Sequence, residues 1–127
     1  MCIVETNGMT VKLDTTGMLE GLLNVTSNRN RIIGQNLANN NTPGYHRMDV
    51  NFGEALTEEM AAARSGARRN AKAGVLEVEG LPERADGNNV DMDTELGEMN
   101  RNALMYQTWL QLLGSRLRMM RTAITGQ

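Results

Sequence analysis

The chain has 127 residues and a formal net charge of −2, with 40% hydrophobic but only 3% aromatic residues. That length is room for one domain of ordinary size. The scarcity of aromatic and β-branched residues argues against an all-β sandwich or barrel. A sequence pI near 5.4 argues against binding nucleic acid through bulk charge. The composition therefore predicts a soluble, mostly α chain rich in Met and Leu.

Residues 1–14 are predicted to form a flexible N-terminal leader. The segment has no basic start and no apolar run, so we expect no cleaved secretory signal. No stretch of the chain approaches the roughly 18 apolar residues that a membrane span needs. Cys2 is the single cysteine, which excludes an internal disulfide.

Residues 15–39 are predicted to form the N-terminal helix of a coiled-coil core. Apolar residues recur there at helical spacing and make one continuous stripe from Met18 to Leu37. We expect part of this stripe to form helix–helix and subunit contacts: Leu22, Val25, Ile32, Ile33 and Leu37.

Residues 40–90 are predicted to be a turn, short strands and loops, partly disordered outside an assembly. Thr42-Pro43-Gly44-Tyr45 suits a type II turn, because proline presets the second position and glycine accepts the positive φ of the third. Met48, Val50 and Phe52 then alternate with polar residues, as in a half-buried strand. We expect a short helix over residues 54–64, and residues 75–79 are expected to pair with the strand.

The segment from Ser65 to Arg84 has little to bury, so we expect it to be disordered until neighbours order it. Its basic residues leave two interpretations, a nucleic-acid patch or a loop that faces solvent or a partner. The loop is favoured because no aromatic residues for base stacking are interleaved with Arg64, Arg68, Arg69 and Lys72.

Residues 91–127 are predicted to form the C-terminal helix of the core. Their apolar residues alternate spacings of four and three, which is the a/d pattern of a coiled coil. We expect the two terminal helices to pair as an antiparallel coiled coil, although an ordinary helical-bundle core has the same pattern. The predicted seam comprises Met92, Leu96, Met99, Ala103, Tyr106, Leu110, Leu113, Leu117, Met120 and Ile124.

A second apolar stripe on this helix lies outside the seam and contains Leu104, Trp109 and Leu112. Either the central loops cover it or it contacts another subunit, and we favour the subunit contact.

The chemistry-bearing residues predict no catalytic, cofactor or metal site. The run from Asp86 to Asp93 departs from a calcium loop because Asp91 stands where glycine is required and Gly97 where a bidentate Glu is needed. We expect an Asx-rich turn before a helix cap there. His46 is the only histidine, so a cluster built on several histidines is not available.

Two segments resemble a known family. Asn36-Leu37-Ala38-Asn39, followed after two residues by Thr42-Pro43-Gly44-Tyr45, resembles the signature of bacterial flagellar basal-body rod and hook proteins. The C-terminal half is similar to that of the proximal rod proteins in this family, at Asp86 to Asp93, Glu95, Met99, Asn102 to Leu104, Tyr106, Gln107 and Leu117 to Gly126.

The resemblance implies a structural subunit of the proximal rod, part of the drive shaft and export channel, without catalytic activity or cofactor. It implies pairing of the terminal helices and assembly with other copies of the chain, neighbouring proximal rod proteins, a FliE-type adaptor at the MS ring and the flagellar type III export gate. It further implies a periplasmic location in the basal body, reached through the flagellar export apparatus without a cleaved signal. The alternatives are another axial rod or hook protein and a soluble coiled-coil adaptor that binds a regulatory partner.

Overall fold

The described part of the chain is mostly helical. The computed structural model describes residues 3–6, 9–12, 15–65 and 74–126. The three helices are α1 (Thr15–Ala38), α2 (Phe52–Ser65) and α3 (Met92–Thr125). The four strands form two antiparallel pairs and are β1 (Ile3–Thr6), β2 (Met9–Lys12), β3 (Met48–Val50) and β4 (Val75–Glu77). Among these residues, no helix combines the length and the apolar character needed to cross a bilayer.

The first strand pair lies inside the segment that the sequence analysis treats as a leader. β1 and β2 run antiparallel, with Ile3 opposite Lys12 and Thr6 opposite Met9. In this register Val4 is the backbone partner of Val11, and both residue types are common in strands. The sequence analysis did not predict this pairing.

The two terminal helices run in opposite directions and contact each other. The side-chain amide of Asn102 donates to the carbonyl oxygen of Thr26 at 2.9 Å, and that of Asn36 donates to Glu95 at 3.0 Å. Residue numbers therefore rise along α1 while they fall along the facing part of α3. This agrees with the antiparallel arrangement expected of these helices.

α3 is the longer helix and continues past the start of α1. The two helices have 34 and 24 residues, so they are about 51 and 36 Å long. Thr26 lies opposite Asn102, and α1 begins eleven residues before Thr26. Because the helices are antiparallel, the pairing ends eleven residues after Asn102, near residue 113. The remaining part of α3 extends beyond α1.

The predicted a/d seam of α3 is not the face that contacts α1, which corrects the expected pairing within the chain. The contacting row contains Glu95 and Asn102, each one residue before a predicted seam residue, and one residue turns the helix surface by about 100°. The reason is that α1 presents Thr26, Arg29 and Asn36, whose polar groups need partners that apolar residues cannot supply. Met99 and Leu113 are half-buried, whereas the other seam residues are exposed: Met92, Leu96, Ala103, Tyr106, Leu110, Leu117, Met120 and Ile124.

The core of the described structure lies between α1, β3 and α2. Val25 and Ile32 of α1 cluster with Val50 and Ala55, and all four are buried. Partly buried Met48, Phe52 and Val75 pack against this cluster. In the α1 stripe, Leu22 and Ile33 are also buried and Leu37 is half-buried.

The expected pairing of two central strands is confirmed, because β3 and β4 pair with Val50 opposite Val75. Phe52 does not continue the strand and instead begins α2. Asn51 ends the extended run because its carbonyl oxygen accepts from the amide of Ala55 at 2.9 Å, as at a helix N-terminus.

Part of the segment that is predicted to be disordered forms hydrogen bonds with the rest of the described structure. The amide of Val78 donates to the carbonyl oxygen of Arg47 at 2.9 Å, and the guanidinium of Arg84 donates to that of Asn40 at 2.5 Å. Residues 66–73, which include Arg68, Arg69 and Lys72, lie outside the described residues, so the expectations for that basic segment remain predictions.

We predict that Ile32→Ala lowers the free energy of unfolding by about 2–5 kcal/mol, because it leaves a cavity in a core where Ile32 is 4% exposed. Urea unfolding monitored by circular dichroism measures the change. Ile124→Ala is the matched control, since Ile124 is 85% exposed and its truncation should change stability by less than about 0.5 kcal/mol. Equal losses in the two variants would contradict the assigned core.

Candidate functional site

One buried amide joins the end of α1 to the strand that follows the turn and to α3. The amide nitrogen of Asn36 donates to the carbonyl oxygen of Met48 at 2.7 Å and to Glu95 at 3.0 Å. Its oxygen accepts from the Met48 amide at 3.0 Å and from the Tyr45 hydroxyl at 3.1 Å. These four bonds use the full capacity of an Asn side chain. Asn36 is fully buried, and because these four bonds satisfy its side chain, it needs no water molecule.

A chain of ion pairs extends from this amide along the interface of α1 and α3. The fully buried Glu95 accepts from Arg47, which also contacts Asp49 at 3.3 Å. Asp49 accepts from Arg29 at 2.9 Å, and Arg29 contacts Glu98 of α3 at 3.1 Å. Because the charges alternate, each buried charge has a neighbour of opposite sign, as buried ions require. This network ties α1, β3 and α3 together.

The ion pairs shift the ionisation of the groups inside the network. Burial alone raises the pKa of Asp49, but its bonds to Arg29 and to the Val50 amide and the charges of Arg29 and Arg47 outweigh burial, so that its pKa lies below the ordinary value. The bond to Asp49 is the main cause of the raised pKa of Arg29. Burial, followed by the charge of Glu95, raises the pKa of Tyr45. Asp49, Arg29 and Arg47 are therefore charged near neutral pH.

The predicted turn forms and receives the loop before α3. The Tyr45 amide donates to the carbonyl oxygen of Thr42 at 3.2 Å, and Gly44 has φ of 67°. The fully buried Asn88 donates to the carbonyl oxygens of Asn39 and Thr42 at 2.9 and 2.8 Å, while its own oxygen accepts from the Val90 amide. The turn and the 84–90 loop thus form one hydrogen-bonded unit. We call this unit, together with Asn36 and its partners, the motif junction.

The family motif supplies most of one side of this junction. Asn36, Asn39, Thr42 and Tyr45 make the contacts described above or bond within the turn, and the Gly44 amide donates to the carbonyl oxygen of Asp86 at 2.8 Å. Of the other motif residues, Leu37 is half-buried, whereas Ala38 and Pro43 are exposed.

Sequence reasoning missed the other side of the junction. Glu95 and Asn88 pair with residues 59 and 49 positions away in the chain, which no local pattern reveals. One signal was present: Glu95 and Asn102 are spaced by seven, so they repeat on one face of the helix.

The exposed face of α3 is the second feature of the site. The stripe from Met92 to Ile124 spans about 48 Å, and Leu110 and Leu117 in it are 45% and 50% exposed. Of the second stripe, Leu104 and Leu112 are exposed and Trp109 is half-buried. The described parts of the central loops therefore do not cover Leu104 and Leu112.

The acidic run before α3 acts as a turn and a helix cap. Asp86 contacts Arg84 at 3.1 Å and accepts from the Asn88 amide, and Asp91 accepts from the Asp93 amide at 3.2 Å as the N-cap of α3. Among the described residues, no three His, Cys, Asp or Glu side chains are grouped so that they could hold a metal ion. His46 lies beside Glu77 and is half-buried.

Comparison with known proteins gives a consistent family. No family model matches the chain. The chain is 34% identical to the flagellar basal body rod protein FlgB of Aeromonas hydrophila, over 87% of this chain and 92% of that protein. It is 31% identical to FlgB of Salmonella typhimurium, over 82% and 88%, and 26% identical to FlgB of Bacillus subtilis, over 85% and 91%.

The chain belongs to the FlgB family of flagellar basal body rod proteins. It is therefore a structural subunit of the flagellar basal body rod. In this FlgB-family chain the residues of the predicted motif take part in a polar junction at one end of the helix pair. The apolar stripe of α3 is exposed on the outside of this helix pair.

We predict that Asn36→Asp lowers the free energy of unfolding by about 3 kcal/mol or more. The carboxylate cannot donate to Met48 or Glu95, and it adds a like charge beside Glu95 in a buried site. Asn41→Asp is the matched control because Asn41 is exposed in the same turn. Urea unfolding of both variants tests the junction, and equal effects would contradict it.

We predict an acid-sensitive contribution from Asp49. Because its folded-state pKa is lowered, its stabilisation is complete above the ordinary value of 3.8 and is lost as the pH falls through the lower folded value. Asp49→Asn should therefore be less stable than the wild type by about 1–3 kcal/mol near neutral pH, and the difference should shrink as the pH falls below 3.8. Urea unfolding across pH measures it, and a difference independent of pH would overturn the assignment.

Proposed function

We propose that this subunit is built into the proximal rod by packing the exposed apolar stripe of α3 against helices of neighbouring subunits. The observation that carries the proposal is the position of Leu110, Leu117 and the rest of the stripe on the outside of α3. Folded monomers rarely expose contiguous apolar patches of more than a few hundred Å² unless these bind a partner. The a/d spacing of the stripe fits a helical partner.

We further propose that α1 and α3 form an antiparallel coiled coil whose inner face is polar. Glu95 and Asn102 are one heptad apart and both bond to α1. Polar residues inside a coiled coil cost stability but determine register and partner. Arg29 and Glu98 add an ion pair between these two contacts. The helix pair is then a preformed unit. Its polar inner face joins α1 to α3, and its apolar outer stripe binds neighbouring subunits.

The family membership supports a wider set of partners and a location. We assign as neighbours other copies of this chain, other proximal rod proteins, a FliE-type adaptor at the MS ring and the flagellar type III export gate. The assembled subunit then lies in the periplasmic part of the basal body, where it forms part of the drive shaft and of the export channel. Export without a cleaved signal fits a chain with one cysteine and no internal disulfide to break.

The role is structural and not catalytic in this proposal. The buried polar side chains at the motif junction are engaged in holding elements together: Asn36 uses all its hydrogen-bonding capacity, and Asn88 bonds the turn to the 84–90 loop. Membership of the FlgB family decides against the soluble adaptor and the other axial proteins that the sequence pattern left open.

We predict that Leu110→Asp reduces incorporation into the rod and motility by at least about tenfold. A carboxylate buried in an apolar subunit contact costs several kcal/mol, and about 1.4 kcal/mol corresponds to a factor of ten. The measurement is the amount of tagged subunit in isolated basal bodies from cells that lack their own copy, together with swimming.

Gln111→Asp is the control because Gln111 is exposed on α3 and outside the stripe. Both variants should unfold like the wild type, within about 0.5 kcal/mol, since both side chains face solvent in the monomer. Normal incorporation of Leu110→Asp would show that the stripe is not an assembly surface.

A further inference from the structure

A shallow groove lies between α1 and α3 near the middle of the helix pair. Its volume is about 210 Å³. A water molecule takes up about 30 Å³ in the liquid, so the groove has room for a side chain. Its lining comprises Thr26, Ser27 and Asn30 of α1 and Asn102, Ala103, Tyr106 and Gln107 of α3.

Asn102, one of the residues that line the groove, has a buried acceptor without a partner. Asn102 is 1% exposed, and among the described residues its side-chain oxygen has no hydrogen-bond donor. The orientation of this amide is determined, because the atom facing the carbonyl oxygen of Thr26 at 2.9 Å must be the donating nitrogen. The Thr26 hydroxyl donates to Leu22 at 2.6 Å, so its proton is not available to Asn102. A buried amide oxygen in this state calls for a donor from elsewhere.

The lining also specifies the charge of that donor. None of the seven lining residues is Asp, Glu, His, Lys or Arg. The nearest ion pairs on this interface, between Arg29 and Glu98 and between Glu98 and Arg101, already satisfy one another. A charged occupant would lose its hydration without gaining a counter-charge, whereas an amide or hydroxyl would not.

We propose that this groove receives an uncharged amide or hydroxyl side chain from a helix of a neighbouring rod subunit, which donates a hydrogen bond to Asn102. The proposal rests on the proposed function, because the groove is continuous with the stripe: Ala103 and Tyr106 belong to both. A helix that packs on the stripe therefore passes along the mouth of the groove. The proposal requires the exposed side chains of Tyr106 and Gln107 to move aside, because the Asn102 oxygen is itself buried.

The test fills the groove from its rim and leaves Asn102 unchanged. Gln107→Trp is compared with Gln111→Trp, because both glutamines are exposed on α3 and only Gln107 lines the groove. Incorporation into isolated basal bodies should fall about tenfold for Gln107→Trp and stay at the wild-type level for Gln111→Trp. Ser27→Trp repeats the test from α1, so the proposal stays testable if Gln107→Trp fails to fold by circular dichroism.

A second comparison tests the chemistry of the occupant. Gln107→Glu and Gln107→Lys should reduce incorporation in the same direction, because either charge is placed beside an uncharged group. Opposite effects of the two variants would show a charged occupant and overturn the proposal. Equal incorporation of Gln107→Trp and Gln111→Trp, whether both are normal or both are reduced, would also overturn it. Normal incorporation of Leu110→Asp, by contrast, would reject the proposed function and not the groove alone.

Discussion

The structure depends on the hydrogen bonds of one buried side chain, Asn36. Its amide has two donors and two acceptor positions, and all four are used, on both backbone groups of Met48, on Tyr45 and on Glu95. Because the chain turns back between α1 and β3, these contacts fix the angle at which it leaves the helix. They also fix where α3 lies along α1. An apolar side chain in this place would pack but would not select among neighbouring registers, because apolar contacts are not directional.

The polar inner face explains the apolar outer one. Once Asn36 meets Glu95 and Thr26 meets Asn102, the row of α3 that faces α1 is decided. The a/d row is offset from that row by one residue, or about 100°, and is turned outward. Buried ion pairs and amides contribute little net stability, and their best-attested role is to specify register. The subunit therefore gains specificity inside the helix pair, and much of the apolar surface of α3 stays exposed.

The sequence was sufficient for elements whose signal is local. Heptad spacing predicted α3, alternation predicted the pairing of β3 with β4, and proline with glycine predicted the turn at Thr42 to Tyr45. The face on which α3 packs was not predictable in the same way. Periodicity shows that one face is apolar, but it does not show whether the same chain or another one covers that face. The deciding contacts join residues 59 and 76 positions apart and consist of single polar side chains within an apolar repeat.

An apolar heptad stripe has a weakness as an assembly surface. Shifting a partner helix by one heptad, about 10 Å, presents nearly the same pattern of Leu, Met and Ala again. A subunit that must join its neighbours at one height needs a feature that does not repeat. Asn102 is such a feature, because it lines the same groove as the stripe residues Ala103 and Tyr106 and its buried side-chain oxygen is unpaired among the described residues. A partner in the correct register satisfies this oxygen, whereas a partner shifted by a heptad leaves it buried and unpaired. In the helix pair, polar contacts select the register and apolar contacts provide binding. The same division of roles then applies to the contact between subunits.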